Sequence, residues 1–366
     1  MTNVKAVFYW KNGDCNMNYL AFEDEELSLL IQAVNASQMF FHPRYAPDGV
    51  FSVDDIFDLQ KPDKDILIIA DKNFVSPICE IVKSGTLKDA DRLQRVALFI
   101  TWVKFLNASA TCGIGLLEND TAGLSTVSGE ESRQMFLHGL EKVPSQIWKD
   151  IAFGYRSEIP QPFRFDKFAP DTTEYKYGDG LHLLSHEAAI IKIVQLLRTP
   201  NVTPIDKFDR FMRWYADHLD IAESIMVYAA MVFGDVKWVS KPKSSTSDNF
   251  EKVVKGIKNQ AWDITYITTW STEYYNETEN KSVMFATDDR TQKVIVVNIL
   301  PQGQAAEAVD AVFSTKAEAK KLEQLATDKL GAARIRPFVG KSREEQRIFI
   351  KELITAEYET LKNMIG

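Results

Sequence analysis

The sequence predicts an α/β protein, and three observations predict it. Two short apolar runs, Ile66-Leu67-Ile68-Ile69-Ala70 and Val283-Met284-Phe285-Ala286, read as buried strands. Long segments elsewhere place apolar residues at helical spacing, most clearly over 87–105 (Leu93, Val96, Ala97, Ile100, Val103) and 186–198. A 45% hydrophobic content with 11% aromatics supplies a sizeable core. At 366 residues the chain exceeds the usual size of one domain, so two domains or one elaborated domain are expected.

Taken in order, 4–10 reads as a strand, 24–36 as a helix and 40–58 as loop. The strand over 63–71 follows, then the helix over 87–105 and helices over 128–140 and 147–153. Pro160, Pro162, Pro170 and Gly178-Asp179-Gly180 mark a loop. An amphipathic helix over 186–198, with Ser185 as its N-cap, stops before Pro200. Helical character continues over 205–219 and 221–233. The Ser-, Lys- and Pro-rich stretch 239–249 predicts an exposed, mobile linker. Beyond it come helices over 250–259 and 261–273, a strand over 282–287, and 294–300, which fits either a strand or a helix end. The tail, 305–330 and 342–365, is mainly helical, and no internal repeat occurs.

The formal charge of -8 argues against an indiscriminate nucleic-acid coating protein, which would be basic, but not against a nuclease whose acids gather at a metal. Cys15, Cys79 and Cys112 are widely spaced and form no zinc pattern, which predicts reduced thiols and a cytoplasmic setting. The first residues lack a signal-peptide core. The most apolar stretch is interrupted by Arg95, Lys104 and Asn107, so no membrane span is expected. Neither GxxxxGK[ST], GxGxxG nor GxSxG is present, leaving nucleotide binding and serine hydrolysis without motif support.

Acids stand in similar contexts at several distant places. Asp71 closes the first apolar run and is followed by Lys72-Asn73; Glu118 ends Gly113-Ile114-Gly115-Leu116-Leu117. Asp263 lies in Ala261-Trp262-Asp263-Ile264, and Thr287-Asp288-Asp289 follows the second run. An acid at a buried strand end is costly unless a cation shares the site, so these positions suggest a carboxylate-held divalent metal and phosphoryl chemistry. Singly, each acid is explained by a cap or an exposed strand end, and Asp263 near a predicted helix start has such a role.

In that order and setting the motifs resemble the PIN domain, a metal-dependent nuclease family. The resemblance implies a parallel sheet flanked by helices and divides the chain into an appended region 1–61, a core first half 62–118, a helical insertion 119–249, a core second half 250–300 and a C-terminal helical region 301–366. It also implies Asp71, Glu118, Asp263 and Asp289 as catalytic ligands of Mg²⁺ or Mn²⁺, with Asp288 as substitute for Asp289 and Glu187 as competitor for Glu118. Asn73 would fix the first Asp or a bound water, and Thr287 would hold a phosphate or orient Asp289.

The function implied is phosphodiester cleavage, in RNA before single-stranded DNA, with a regulatory protein partner allowed for by the insertion. Lys241, Lys243, Lys252, Lys255 and Lys258, with Trp238 and Lys237 nearby, are the candidate nucleic-acid contacts; Lys329, Arg334, Arg336, Lys341, Arg343 and Arg347 form a second basic group. For each group a solvated helix face is the plainer account. Two other functions stay open: a PIN-like scaffold that binds without cutting, and a Mg²⁺-dependent phosphatase launched from Asp71, for which the usual Asp-x-Asp is here Asp71-Lys72-Asn73. His182 and His186 share a helical spacing, but the HExxH order is absent.

Overall fold

The computed structural model describes residues 6–9, 19–115, 118, 126–166, 180–300, 304–330 and 337–366. The chain forms two compact units: 1–177 with 272–289, and 178–271 with 290–366.

The first unit holds the strands. β1 (Ala6–Tyr9) and β2 (Tyr19–Phe22) pair as an antiparallel hairpin. The main sheet has four strands in the order β3-β6-β4-β5, with β3 (Phe40–Phe41), β4 (Asp65–Ala70), β5 (Ser109–Thr111) and β6 (Lys281–Ala286). β4 runs parallel to both β5 and β6, and β3 closes the edge antiparallel to β6. The two apolar runs thus pair in parallel, with Asp65 opposite Lys281 and Ala70 opposite Ala286. The sheet as a whole is mixed and not the parallel sheet expected, because the short edge strand β3 runs antiparallel. Five successive residues of β6 are buried, which explains the continuous apolar run in place of an alternating one.

Helices α1 (Asp24–Ser37), α2 (Val53–Leu59), α3 (Lys72–Ser84), α4 (Ala90–Phe105), α5 (Thr126–Glu141) and α6 (Ser145–Ala152) also belong to this unit. One apolar cluster joins Ile66, Ile68 and Met284 of the sheet to Leu30, Val34, Ile78, Phe99, Trp102 and Trp148 of the helices. Phe99 stacks between Phe74, 4.4 Å away, and Phe40, 5.6 Å away. Residues 40–58, expected as loop, contain β3 and α2; Ser52 caps α2 by accepting from the Asp55 N–H at 3.1 Å. A Ser-x-x-Asp signature was there to be found.

The second unit, as described, is helical: α7 (Leu181–Arg198), α8 (Pro204–His218), α9 (Glu223–Phe233), most of α10 (Phe250–Tyr275), α11 (Arg290–Ile299), α12 (Gln304–Val312), α13 (Lys316–Leu325) and α14 (Arg343–Ile365). Nine of eleven α9 residues are buried, so it is a central helix packed on more than one side, against α8, α11 and α12. Helix character over 294–300 is thus settled by α11.

Three local expectations are corrected. Helix α7 begins at Leu181, so Ser185 lies inside it and is no N-cap. The segments 250–259 and 261–273 are one continuous helix, which takes Asp263 away from a helix start. Residues 239–249 are largely exposed, as expected, but anchored instead of free: Pro242 and Ser245 are buried, Tyr228 Oη donates to the Ser240 carbonyl at 3.0 Å, and Arg198 donates to the Ser247 carbonyl. Among the described residues, no helix is long and apolar enough to cross a membrane.

Candidate active site

Asp71 stands where β4 gives way to α3, in the N-cap position of that helix with φ -67° and ψ 156°. Its carbonyl accepts the Phe74 and Val75 N–H groups at 2.9 and 3.2 Å. Its carboxylate makes no cap bond to the helix. Instead Oδ2 accepts from Asn73 Nδ2 at 2.7 Å and from the Thr287 hydroxyl at 2.9 Å, which ties the end of β4 to the end of β6. Oδ1 accepts no hydrogen bond from any described residue. Pro77, inside α3, lacks an N–H and so withholds the helical donor from the Asn73 carbonyl.

Thr287 is completely buried and fully committed: its hydroxyl donates to Asp71 and accepts the Asp289 N–H at 2.9 Å. Its N–H donates to the Met39 carbonyl on the neighbouring edge at 3.0 Å. With its one proton given to Asp71, Thr287 ties the Asp71 carboxylate to the Asp289 turn. Asn73 bonds the same carboxylate oxygen.

The electrostatics converge on Asp71. Burial pushes its carboxyl up to about 6, and the charges of Asp289 and Glu118 push the same way, against the two hydrogen bonds that favour the anion. The carboxyl ends of β4 and β6, and the segment that follows β5, therefore each bring an acid into one electrostatic neighbourhood, where open α/β sheets collect ligands. Glu118 does not close a strand: β5 ends at Thr111 and Glu118 is helical. Its Oε1 accepts from Lys72 at 2.9 Å. Asp288 meets Arg95 at 3.5 Å. Sequence reasoning missed Lys72 and Arg95, although Lys72 directly follows Asp71.

Asp263 belongs to the second unit and lies within α10. Two neutral amides reach its carboxylate at long range, Gln260 at 3.4 Å and Gln292 at 3.3 Å. Glu187, the competitor for the second acid, accepts from the Tyr358 hydroxyl at 2.8 Å, a helix–helix contact between α7 and α14. Among the described residues no set of three or more His, Cys, Asp or Glu is grouped to hold a metal ion. A cation at Asp71 would therefore be held by few protein oxygens and several waters, the way Mg²⁺ is commonly bound. The oxygen-only donors, the Oδ1 without a described partner and the like charges around it fit such an ion.

His186 is a core residue. Nδ1 meets the Thr265 hydroxyl at 2.9 Å and Nε2 meets Thr268 at 3.2 Å. Thr265 spends its proton on the Ala261 carbonyl, so Nδ1 donates and Nε2 accepts. Burial, and then the neighbouring His182, hold the imidazole down at about 3. This folded value lies below the ordinary 6.5, so protonation favours unfolding: stability is lost as pH falls from 6.5 toward 3. Urea titrations from pH 7 to 4 should show wild type losing up to about 1.4 kcal/mol per pH unit more than His186→Gln; parallel curves would refute the assignment. Cys79 and Cys112 are buried thiols pushed up to about 12 by burial, the unreactive state expected of structural cysteines. Cys15, Arg334 and Arg336 lie outside the described residues.

The predicted nucleic-acid contacts all lie in the second unit. Lys252, Lys255 and Lys258 are exposed along α10, and Lys243 is exposed on the preceding loop. Lys241 pairs with the exposed Asp235 at 2.7 Å. In the second basic group, Lys329 pairs with Asp217, Arg347 with Glu344, and Lys341 lies over Phe338 and Phe349. No family model matches the chain, and no curated protein or solved structure matches it.

Proposed function

We propose that the first unit hydrolyses phosphodiester bonds, in RNA before DNA, with Mg²⁺ or Mn²⁺ held at Asp71 and the acids around it. The observation that supports this most is the Asp71 carboxylate: buried, raised to about 6 beside Asp289 and Glu118, and oriented by Asn73 and Thr287 from the adjoining strand ends. A structural acid at that position would cap α3, whereas this carboxylate makes no cap bond to the helix backbone.

When bound, the cation supplies a more acidic water and relief of phosphate charge. The chain's residues do the rest of the positioning. Asn73 and Thr287 hold Oδ2 of Asp71, leaving Oδ1 for a ligand. Thr287 fixes the Asp289 backbone, and Lys72 keeps Glu118 paired at the edge of the site. At neutral pH Asp71 is mostly ionised, so it acts as an anion that binds or orients; below about 6 it protonates, and metal-dependent activity should fall with it.

The test is cleavage of a mixed pool of single-stranded and structured RNA with Mn²⁺ or Mg²⁺, against EDTA. Asp71→Asn is expected to lower the rate by at least about a hundredfold, in the range typical of lost electrostatic stabilisation. Asp263→Asn tests separately whether the wider ligand set of the PIN resemblance applies. The self-neutralised pairs Lys72–Glu118 and Arg95–Asp288 favour one rival, a scaffold that binds without cutting. No metal-dependent cutting of RNA or DNA would select that rival, and phosphatase activity dependent on Asp71 alone would select the phosphatase.

A further inference from the structure

The second unit carries a surface that the catalytic reading does not use. Trp238 is 48% exposed, and no other large apolar side chain between residues 180 and 271 is exposed. Its backbone has φ +80°, the left-handed region that a bulky residue adopts only when its surroundings impose it. They do so through several anchors. The Val236 N–H donates to the Met231 carbonyl at 2.9 Å, and the Val239 N–H donates to the Val236 carbonyl at 3.2 Å. The Ser240 N–H donates to the Thr291 hydroxyl at 3.1 Å, and the Ser240 carbonyl accepts from Tyr228. The indole is thus presented to solvent by a braced loop.

Cations surround that ring. The Arg290 guanidinium carbon lies 3.0 Å and the Lys237 ammonium 4.3 Å from its centroid. Lys241 and Lys243 follow on the same loop, both exposed. Lys207 lies close enough to Lys241 that, after burial, the Lys241 charge helps hold its ammonium below the ordinary value. The Lys243 backbone packs on α10 at Gly256, one turn from Lys252. On a chain of net charge -8, an ion pair among these cations joins Lys241 to Asp235, itself exposed.

We infer that the loop 237–243, with Lys207, Arg290 and Lys252, is a binding surface for single-stranded RNA, in which Trp238 stacks a base and the cations follow the phosphates. The inference takes from the catalytic reading only the class of polymer. An exposed cation–π contact is weaker than stacking of a base on an aromatic ring. The flexible Lys237 ammonium can leave the ring for a phosphate as a base arrives. A duplex keeps its bases stacked internally and offers Trp238 nothing. An anionic membrane would share the charge complementarity but needs a cluster of apolar side chains to insert, and between residues 180 and 271 Trp238 is the one large apolar side chain exposed.

The experiment is anisotropy of a fluorescein-labelled 20-nucleotide uridine strand, in EDTA so that cutting is excluded. Wild type should bind with a salt slope of about -0.7 per phosphate contacted, and a duplex of equal length at least about tenfold more weakly. Trp238→Asn, whose side chain tolerates the left-handed backbone, should weaken binding about tenfold with the slope unchanged, and Trp238→Phe should restore most of it. Lys237→Gln or Lys243→Gln should each reduce the slope by about 0.7. Unchanged affinity in Trp238→Asn, no binding by wild type at low salt, or equal binding of phosphatidylserine vesicles would each overturn the inference. Because Asp71→Asn should bind the strand normally, loss of the hydrolase reading leaves this one standing, and the reverse holds too.

Discussion

Asp71→Asn is expected to stabilise the folded protein at pH 7.5 while removing metal-dependent hydrolysis. The Asp71 carboxyl sits at about 6 in the folded chain against an ordinary 3.8, a raised value. A raised acid contributes stability below its unfolded value and loses that contribution as pH rises through the folded one. At pH 7.5 the folded state therefore bears a buried anion that it disfavours, chiefly by burial and then by the charges of Asp289 and Glu118. A rise from 3.8 to about 6 corresponds to roughly 3 kcal/mol, taken as an upper figure, and a gain of about 1–3 kcal/mol is expected. An amide keeps an oxygen for Asn73 and Thr287 and turns a donor toward the acids, so the geometry survives. Urea unfolding should show the gain at pH 7.5 and little of it at pH 4. Added Mg²⁺ should stabilise wild type and leave the variant unmoved. A variant less stable than wild type at pH 7.5 would show that Asp71 is structural, and the catalytic proposal would lose its main support.

The second large effect is expected at Gly256, in the interior of α10. Helix propensity alone favours Gly256→Ala by about 1 kcal/mol. The tertiary contact opposes it: a Cβ there would stand 1.7 Å from the Lys243 carbonyl oxygen and 2.7 Å from its carbon. Neither is a flexible side-chain end that can swing aside. The loop is pinned on both sides of that contact by Pro242, Ser245 and the Arg198–Ser247 bond. Overpacking of this kind costs about 1–3 kcal/mol or more, so a net loss of at least about 1–2 kcal/mol is expected. Lys255→Ala, at an exposed site on the same helix, should change stability by less than about 0.5 kcal/mol. Gly256→Ala should also weaken binding of the uridine strand, because the loop that presents Trp238 and Lys243 must shift. A stable Gly256→Ala with full binding would mean that the loop is free to move away from α10.

The two central strands of the main sheet, most helices and the Asp71-x-Asn73 and Thr287-x-Asp289 patterns could be read from residue order. Each depends on periodicity or on contacts a few residues apart, which a linear sequence displays directly. The misreadings have different causes. Residues 239–249 have linker composition, yet the Tyr228, Arg198 and Gly256 contacts that pack them come from distant segments. Asp263 reads as near a helix start when 250–259 and 261–273 are separate helices; buried Gln260 and Ala261 continue one helix across the join. Glu118 looked like a strand end because a run of small and apolar residues carries no mark of where a strand stops.

By itself, then, the sequence determined an α/β chain, its two buried apolar runs and the acids at their ends, since local patterning suffices for those. That the two runs pair in parallel was decided by the tertiary structure. Only the tertiary structure decided that Thr287 gives its proton to Asp71, that Lys72 and Arg95 pair with neighbouring acids, that His186 is a sealed core imidazole, and that Trp238 is held out among cations. The physical reason is the same in each case: a hydrogen-bond partner, a burial cost or a nearby charge is set by residues far away in the chain, and those terms exist only once the chain has folded.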